Sequence, residues 1–261
     1  MSYVQFLRLR KALFIYFPII GGLFLCGVLL PHVPGTTLDF GDGPGHGKTP
    51  SIPLSFVFFI AAWCAIIFAT VVSTSLNKEY DGVEMVWTKP ISRERLALRY
   101  IALDLVAIVV AFASVAALYL LAVLLLGLGK YLAVDARTVP TLVIGLGTAV
   151  MWYGLVQGLT AWLRGRGAIV IGISWAVAFV LLSFAEATRY AAPEVHAFFM
   201  GLDVLNPLAY YSSYSLSGYG AHASPVLPQF LAGTEMRSLM TWTIGALGCI
   251  SAVVGWKRLE A

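Results

Sequence analysis

An all-α polytopic membrane protein is the fold class this sequence predicts, and three observations predict it. The 261 residues are 59% hydrophobic and only 11% charged, with a mean hydropathy of +0.85. Soluble domains carry about a quarter charged residues. The apolar residues come in six long runs, most of them near the roughly 20 residues that carry a helix across a bilayer core of about 30 Å. The Lys and Arg residues are unevenly shared between the loops that join those runs. A soluble fold of this size has too little interior to hide so much apolar surface. Helices satisfy their own backbone hydrogen bonds and so survive in lipid.

The spans fall at about Ala12–Leu30, Leu54–Leu76, Ile101–Leu128, Thr141–Leu163, Ala168–Phe184 and Leu239–Trp256. The first is preceded by Arg8, Arg10 and Lys11, as a signal peptide would be. It is longer than the roughly 7–15 residues of a cleavable apolar region and no small-x-small site follows it, so it reads as a retained span. The fifth is short and extends toward Thr188. Cys26, Cys64 and Cys249 lie inside apolar runs without ligand spacing.

With the N-terminus inside, 12 basic residues fall on the inner side and 5 on the outer. Cytoplasmic loops concentrate Lys and Arg, so both termini are expected in the cytoplasm. That rule also accounts for the net charge of +4, and no nucleic-acid partner is needed. The external loop 31–53 is rich in Gly and Pro and is expected to be irregular. In the external segment 185–238, Val195, Phe198, Phe199 and Leu202 recur at helical spacing. They predict a re-entrant or interfacial helix before the last span. Tyr210, Tyr211, Tyr214 and Tyr219 then suit the wet edge of a bilayer.

Two motif-like stretches fail on inspection. "GDGPGHGKT" resembles a phosphate-binding loop, but Asp42 stands where that loop needs glycine, and no strand precedes it. His32, His46, His196 and His222 have no partner at ligand spacing, so no metal site is expected. Inside the spans, polar candidates are few. Asp104 lies about one turn into the third span, within reach of the interface or of Arg99, and a structural pairing is its expected role. Gln157 sits in "GLVQG", a Gly-x-x-x-Gly pattern that lets helices approach closely. Packing across that contact and lining of a pathway are both open to it. No paired carboxylates and no nucleophile motif appear, so no catalytic set is expected in this chain.

The stretch 77–100, "NKEYDGVEMVWTKPISRERLALRY", gathers five basic and four acidic side chains between two spans. If 79–89 is helical, Tyr80, Val83 and Trp87 share one face, with Glu79 and Glu84 among the charges around them. Pro90 ends that helix. Ser92 can cap the next one, with Glu94 in its first turn. From Arg93 to Leu128 the third span would be roughly 50 Å long, so it should project beyond the membrane. A short amphipathic helix held at its tip suits docking to a partner.

These residues carry a resemblance. Six spans with both termini inside, a 2–3 loop reading "KEYDGVEMVWTKPISRERL" and the ending "GWKRLE" resemble the permease subunits of type-2 ABC transporters, mostly bacterial exporters. The matching positions of the loop are Glu79, Gly82, Glu84, Pro90, Ser92 and Arg93. The resemblance implies a multi-pass protein of the inner membrane that pairs with a second permease copy. It implies a cytoplasmic ATPase, docked through the loop, which binds the ATP and Mg that this chain does not. It further implies an amphipathic elbow at 1–11 and a re-entrant hairpin within 185–238. Two other classes fit the composition. One is a membrane enzyme built on Asp104, Glu186 and the external histidines; the other is a scaffold that docks partners without transport.

Overall fold

The computed structural model describes residues 52–75, 93–125, 127–135, 137–163, 166–187 and 234–258, together with Arg10, Leu13, Phe14, Tyr16, Ala192, Glu194, Val195, Phe198 and 206–208. Five helices account for nearly all of it: α1 (Leu54–Ser75), α2 (Arg93–Leu125), α3 (Thr138–Trp162), α4 (Gly167–Ala187) and α5 (Thr234–Arg258). Four of these, α1, α2, α3 and α5, are long and apolar enough to cross a membrane, and α4 contributes the shorter apolar helix Ala168–Phe184. The chain is an all-α membrane protein. The expected first span, 12–30, and the loops 31–51 and 76–92 lie outside the described residues, apart from Leu13, Phe14 and Tyr16.

Boundaries follow local chemistry. Helix α2 begins at Arg93, just past Pro90 and Ser92, with Glu94 in its first turn where the helix dipole favours an acid. Its 33 residues make a rod of roughly 50 Å at about 1.5 Å per residue. Gly127 closes it: with φ 71° it takes the left-handed conformation that ends helices cheaply only for glycine. A 3-10 turn (Leu128–Tyr131) follows. Next, β2 (Leu132–Ala133) pairs in parallel with β1 (Ile52–Pro53), Ile52 opposite Leu132. This two-residue ladder is the one strand pair among the described residues.

The ladder brings Asp135 to the start of two helices. Its carboxylate accepts from the Ser55 backbone N–H at 3.3 Å and the Ser55 hydroxyl at 2.7 Å, in the first turn of α1. It also accepts from the Thr138 hydroxyl at 2.6 Å, and Thr138 opens α3. One acid thus sits on the positive ends of two helices and satisfies a backbone donor that α1 leaves over. Partial burial pushes the Asp135 carboxyl up, but the bonds from Thr138 and Ser55 outweigh it and hold the group below the usual carboxylate range. A lowered carboxylate pKa stabilises the fold fully above the ordinary value of about 3.9 and loses that contribution as pH falls through the folded value. Asp135→Asn keeps the shape and removes the charge. It should lower the apparent melting temperature of the detergent-purified protein near neutral pH, and the gap from wild type should narrow as the pH falls below the ordinary carboxylate value of about 3.9.

Helix α3 is the centre of the bundle. One face runs along α5, the roughly opposite face along α1, and α2 meets α3 on the side between them. The α3–α5 seam is a backbone contact. A Cβ built on Gly154 would lie 2.5 Å from the Gly245 carbonyl oxygen, and one on Gly248 would lie 2.5 Å from the Gly154 carbonyl carbon. Glycine at these crossing points lets the two helices approach closely. Toward α1, the Trp152 indole donates to the Thr70 hydroxyl at 2.8 Å, and its ring meets Trp175 of α4 edge-on at 5.3 Å. Tyr16, from the N-terminal segment, is buried against Phe68 of α1.

The outward faces remain apolar. Val106, Val109, Val110 and Leu121 on α2, Ile173, Val177 and Val180 on α4, and Leu247 and Ile250 on α5 are all exposed. In water such a surface would drive aggregation; against lipid tails it is the expected face of a spanning bundle. In the segment 185–238, the backbone is helical at Glu194, Val195 and Phe198, and both apolar side chains are exposed. Asn206 is buried, donates to the Ala178 carbonyl of α4 at 2.9 Å, and accepts from the Leu208 N–H at 3.0 Å. That bond sets part of the loop beside the middle of α4.

Candidate functional site

The bundle has two chemically distinct ends. At one end, the first turn of α2 meets the last turn of α5 through the Glu94–Lys257 ion pair at 2.6 Å. Both side chains are largely exposed, so the pair fixes geometry more than it adds stability. The Arg258 guanidinium lies 4.9 Å over the Trp162 ring, and the Trp162 indole donates to the Ser251 hydroxyl at 3.1 Å, so the last turn of α3 joins the same cluster. Arg95, Arg99 and Arg166 are exposed near this end as well. At the opposite end stand Asp135, Arg137 and Lys130. Arg95, Arg99, Arg166, Lys257 and Arg258 thus lie at the Glu94–Lys257 end, and Lys130 and Arg137 at the other.

Of the residues expected to form the loop site, Glu79, Tyr80, Gly82, Val83, Glu84, Trp87, Pro90 and Ser92 lie outside the described residues. Arg93 is the first residue of α2, so the stretch feeds directly into the longest helix. All four histidines also lie outside the described residues, among which no group of three or more potential metal ligands occurs.

The two polar residues expected inside the spans are both buried, and the helices bring them toward one interior. Asp104 is 1% exposed and Gln157 0%. The Asp104 carboxylate accepts from the Tyr153 hydroxyl of α3 at 2.8 Å. One partner of Asp104 is thus a phenol 49 residues away in sequence, and Arg99, on its own helix, is exposed. Asp104 lies about 15 Å along α2 from Glu94, enclosed by the bundle rather than exposed at its end. There a hydroxyl donor is what keeps a carboxyl group tolerable, since burial without a hydrogen bond is costly.

On α3 the polar residues form a stripe. Tyr153, Gln157 and Thr160 are spaced i, i+4, i+7, so they lie within about 60° of one another at 3.6 residues per turn. Gly154, Gly158 and Ala161 face α5 and Trp152 faces α1, so the stripe falls between those contacts, on the side where Tyr153 reaches α2. Gln157 and Thr160 are both 0% exposed. The Gln157 amide nitrogen and oxygen and the Thr160 hydroxyl have no hydrogen-bond partner among the described residues. Gln157 therefore sits beside the α3–α5 seam without bonding across it.

Sequence reasoning missed Tyr153, Thr160 and Asp135. The first two were findable as the i−4 and i+3 neighbours of Gln157 in an otherwise apolar run. Asp135 was findable as an acid three residues before Thr138, a spacing typical of helix starts. Comparison with known proteins finds no matching family model, no matching curated protein and no matching solved structure.

Proposed function

We propose that this chain is the transmembrane subunit of an ATP-binding cassette exporter, working as two copies with two cytoplasmic ATPase subunits in the inner membrane. One observation carries the reading. Helix α2 starts at Arg93, immediately after the charged stretch 77–92, and continues without a break to Leu125. A rod of roughly 50 Å exceeds the membrane core by about 20 Å, and the excess would hold the stretch clear of the lipid. The Tyr80/Val83/Trp87 face and the charges of Glu79, Glu84 and Arg93 form the dock in this reading. The ATPase binds ATP and Mg, and its closure pushes the loop. A continuous helix passes that displacement on as a rigid element, and Glu94–Lys257 ties its base to α5.

Two further observations support it. The basic side chains at the Glu94–Lys257 end agree with a cytoplasmic location for that end. The Asn206–Ala178 bond suits an external segment that re-enters beside α4 and caps an exit.

The test is purification in detergent together with the products of neighbouring genes. An ATPase should co-elute with two copies of this chain; a monodisperse, active complex holding a single copy would sink the proposal. Orientation is checked separately. In a background lacking Cys26, Cys64 and Cys249, cysteines at Lys48 and Ala221 should react with an impermeant thiol reagent in intact cells. A cysteine at Glu84 should stay unlabelled, and labelling there would reverse the topology and remove the docking argument.

A further inference from the structure

The stripe on α3 holds polar capacity that the described residues leave unused. An amide offers two N–H donors and an acceptor oxygen, and a hydroxyl offers one donor and two lone pairs. In Gln157 and Thr160 these atoms are fully buried with no partner among the described residues. Native interiors rarely tolerate that, and the usual remedy is ordered water, which both donates and accepts. The stripe has a direction. Thr160 lies two residues from Trp162, in the cluster with Arg258 and Ser251. Gln157 is about 4.5 Å deeper and Tyr153 about 6 Å deeper again, at 1.5 Å per residue. Tyr153 then hands on to Asp104 at 2.8 Å. Polar groups thus lead stepwise from the basic end of the bundle to a buried acid.

Asp104 is the one acid among the buried residues described. Among the described residues, the Tyr153 hydroxyl from α3 and the Cys249 thiol from α5 are titratable groups near it. Helix α1 contributes Cys64, which faces Tyr16 instead. The charged groups toward the entrance are Arg99 of α2, the Glu94–Lys257 pair and Arg258. Carboxyl groups inside membrane bundles characteristically mark proton and ion routes.

We propose that Asp104, Tyr153, Gln157 and Thr160 form a hydrated proton-binding site: water occupies the stripe at Gln157 and Thr160, and Asp104 takes up and releases a proton through it from the Glu94–Lys257 end. In uptake, a hydronium gives its proton to the Asp104 carboxylate, leaving water and a neutral carboxylic acid; release is the reverse, and no electrons change hands. The neutral acid is the form a low-dielectric interior favours, and the Tyr153 hydroxyl stabilises the ionised form by donating to it. This site stands independently of the transport reading.

Infrared difference spectroscopy of the full-length chain in lipid nanodiscs tests it. Between about pH 4 and about pH 9, the range burial can reach for a carboxyl group, the carbonyl stretch of a protonated acid should appear and disappear. Asp104→Asn should abolish that band. Tyr153→Phe should shift it by removing the donor, and this assigns the band even if the Asn variant fails to fold. Gln157→Leu removes polar atoms that no described residue bonds, at similar volume, so the variant should fold. It should slow hydrogen–deuterium exchange of the band about tenfold, the effect of losing one hydrogen-bonded step. The proposal is overturned if no pH-dependent acid band responds to Asp104→Asn or Tyr153→Phe. It is equally overturned if the band exchanges in Gln157→Leu at the wild-type rate.

Discussion

Gly154→Ala should destabilise the bundle at the upper end of the about 1–3 kcal/mol that overpacking costs, or beyond it. The added Cβ would stand 2.5 Å from the Gly245 carbonyl oxygen and 3.3 Å from the Gly245 Cα. These are backbone atoms, so no side chain can swing aside, and one of the two helices must move. Because α5 touches α3 again through Gly248 and Gly255, displacement at one crossing would strain the others. Gly172 of α4 is the matched control, since a Cβ there would meet nothing within 4 Å. Gly172→Ala should be neutral or gain up to about 1 kcal/mol from reduced backbone entropy in the unfolded chain. Apparent melting temperatures of both variants in one detergent make the comparison. Equal behaviour would mean that the α3–α5 seam is looser than the backbone contacts require.

If the proposed ATPase docks through this loop, Trp87→Ala should weaken that association about thirty-fold. Truncating a buried aromatic anchor commonly costs about 2 kcal/mol or more, and each 1.4 kcal/mol is a factor of ten. Glu84→Ala and Arg93→Ala, as rim charges, should each cost less, and their losses should shrink at high salt. None of the three lies inside the apolar part of a span, so expression and thermal stability should stay close to wild type while substrate-stimulated ATP hydrolysis falls. A loop that lay flat on anionic lipid would behave differently. It would leave co-purification and hydrolysis unchanged in Trp87→Ala, and that result would end the docking proposal. The measurement also separates the two sites. A proton site at Asp104 would survive the loss of docking, because it is built from side chains of α2 and α3 and not from the loop.

Much of the architecture was legible in the sequence because its signals are local. Runs of apolar residues mark helices α1 to α5, although α2 begins at Arg93, well before the apolar run that starts at Ile101. The start of α2 at Arg93 follows from Pro90, Ser92 and Glu94, since proline exclusion and dipole preference act within one turn. Gly154 and Gly158 announced a close helix contact before its partner was known. Asp104 and Gln157 stood out because polar groups in hydrocarbon are costly.

What only the tertiary structure decided is which side chains meet. A helix that is apolar all round carries no periodic signal of which face turns to lipid and which to a neighbour. The sequence therefore could not say that Gly154 opposes Gly245 and Gly248, or that Trp152 finds Thr70 on α1. Asp104 looked closest to Arg99 along the chain, yet its hydroxyl partner comes from α3. Asp135 holds Ser55, 80 residues earlier, because a two-residue strand pair sets the register between the starts of α1 and α3. Such meetings depend on the relative rotation and height of packed helices. Those are set by interlocking side chains across the whole bundle, not by residues adjacent in sequence.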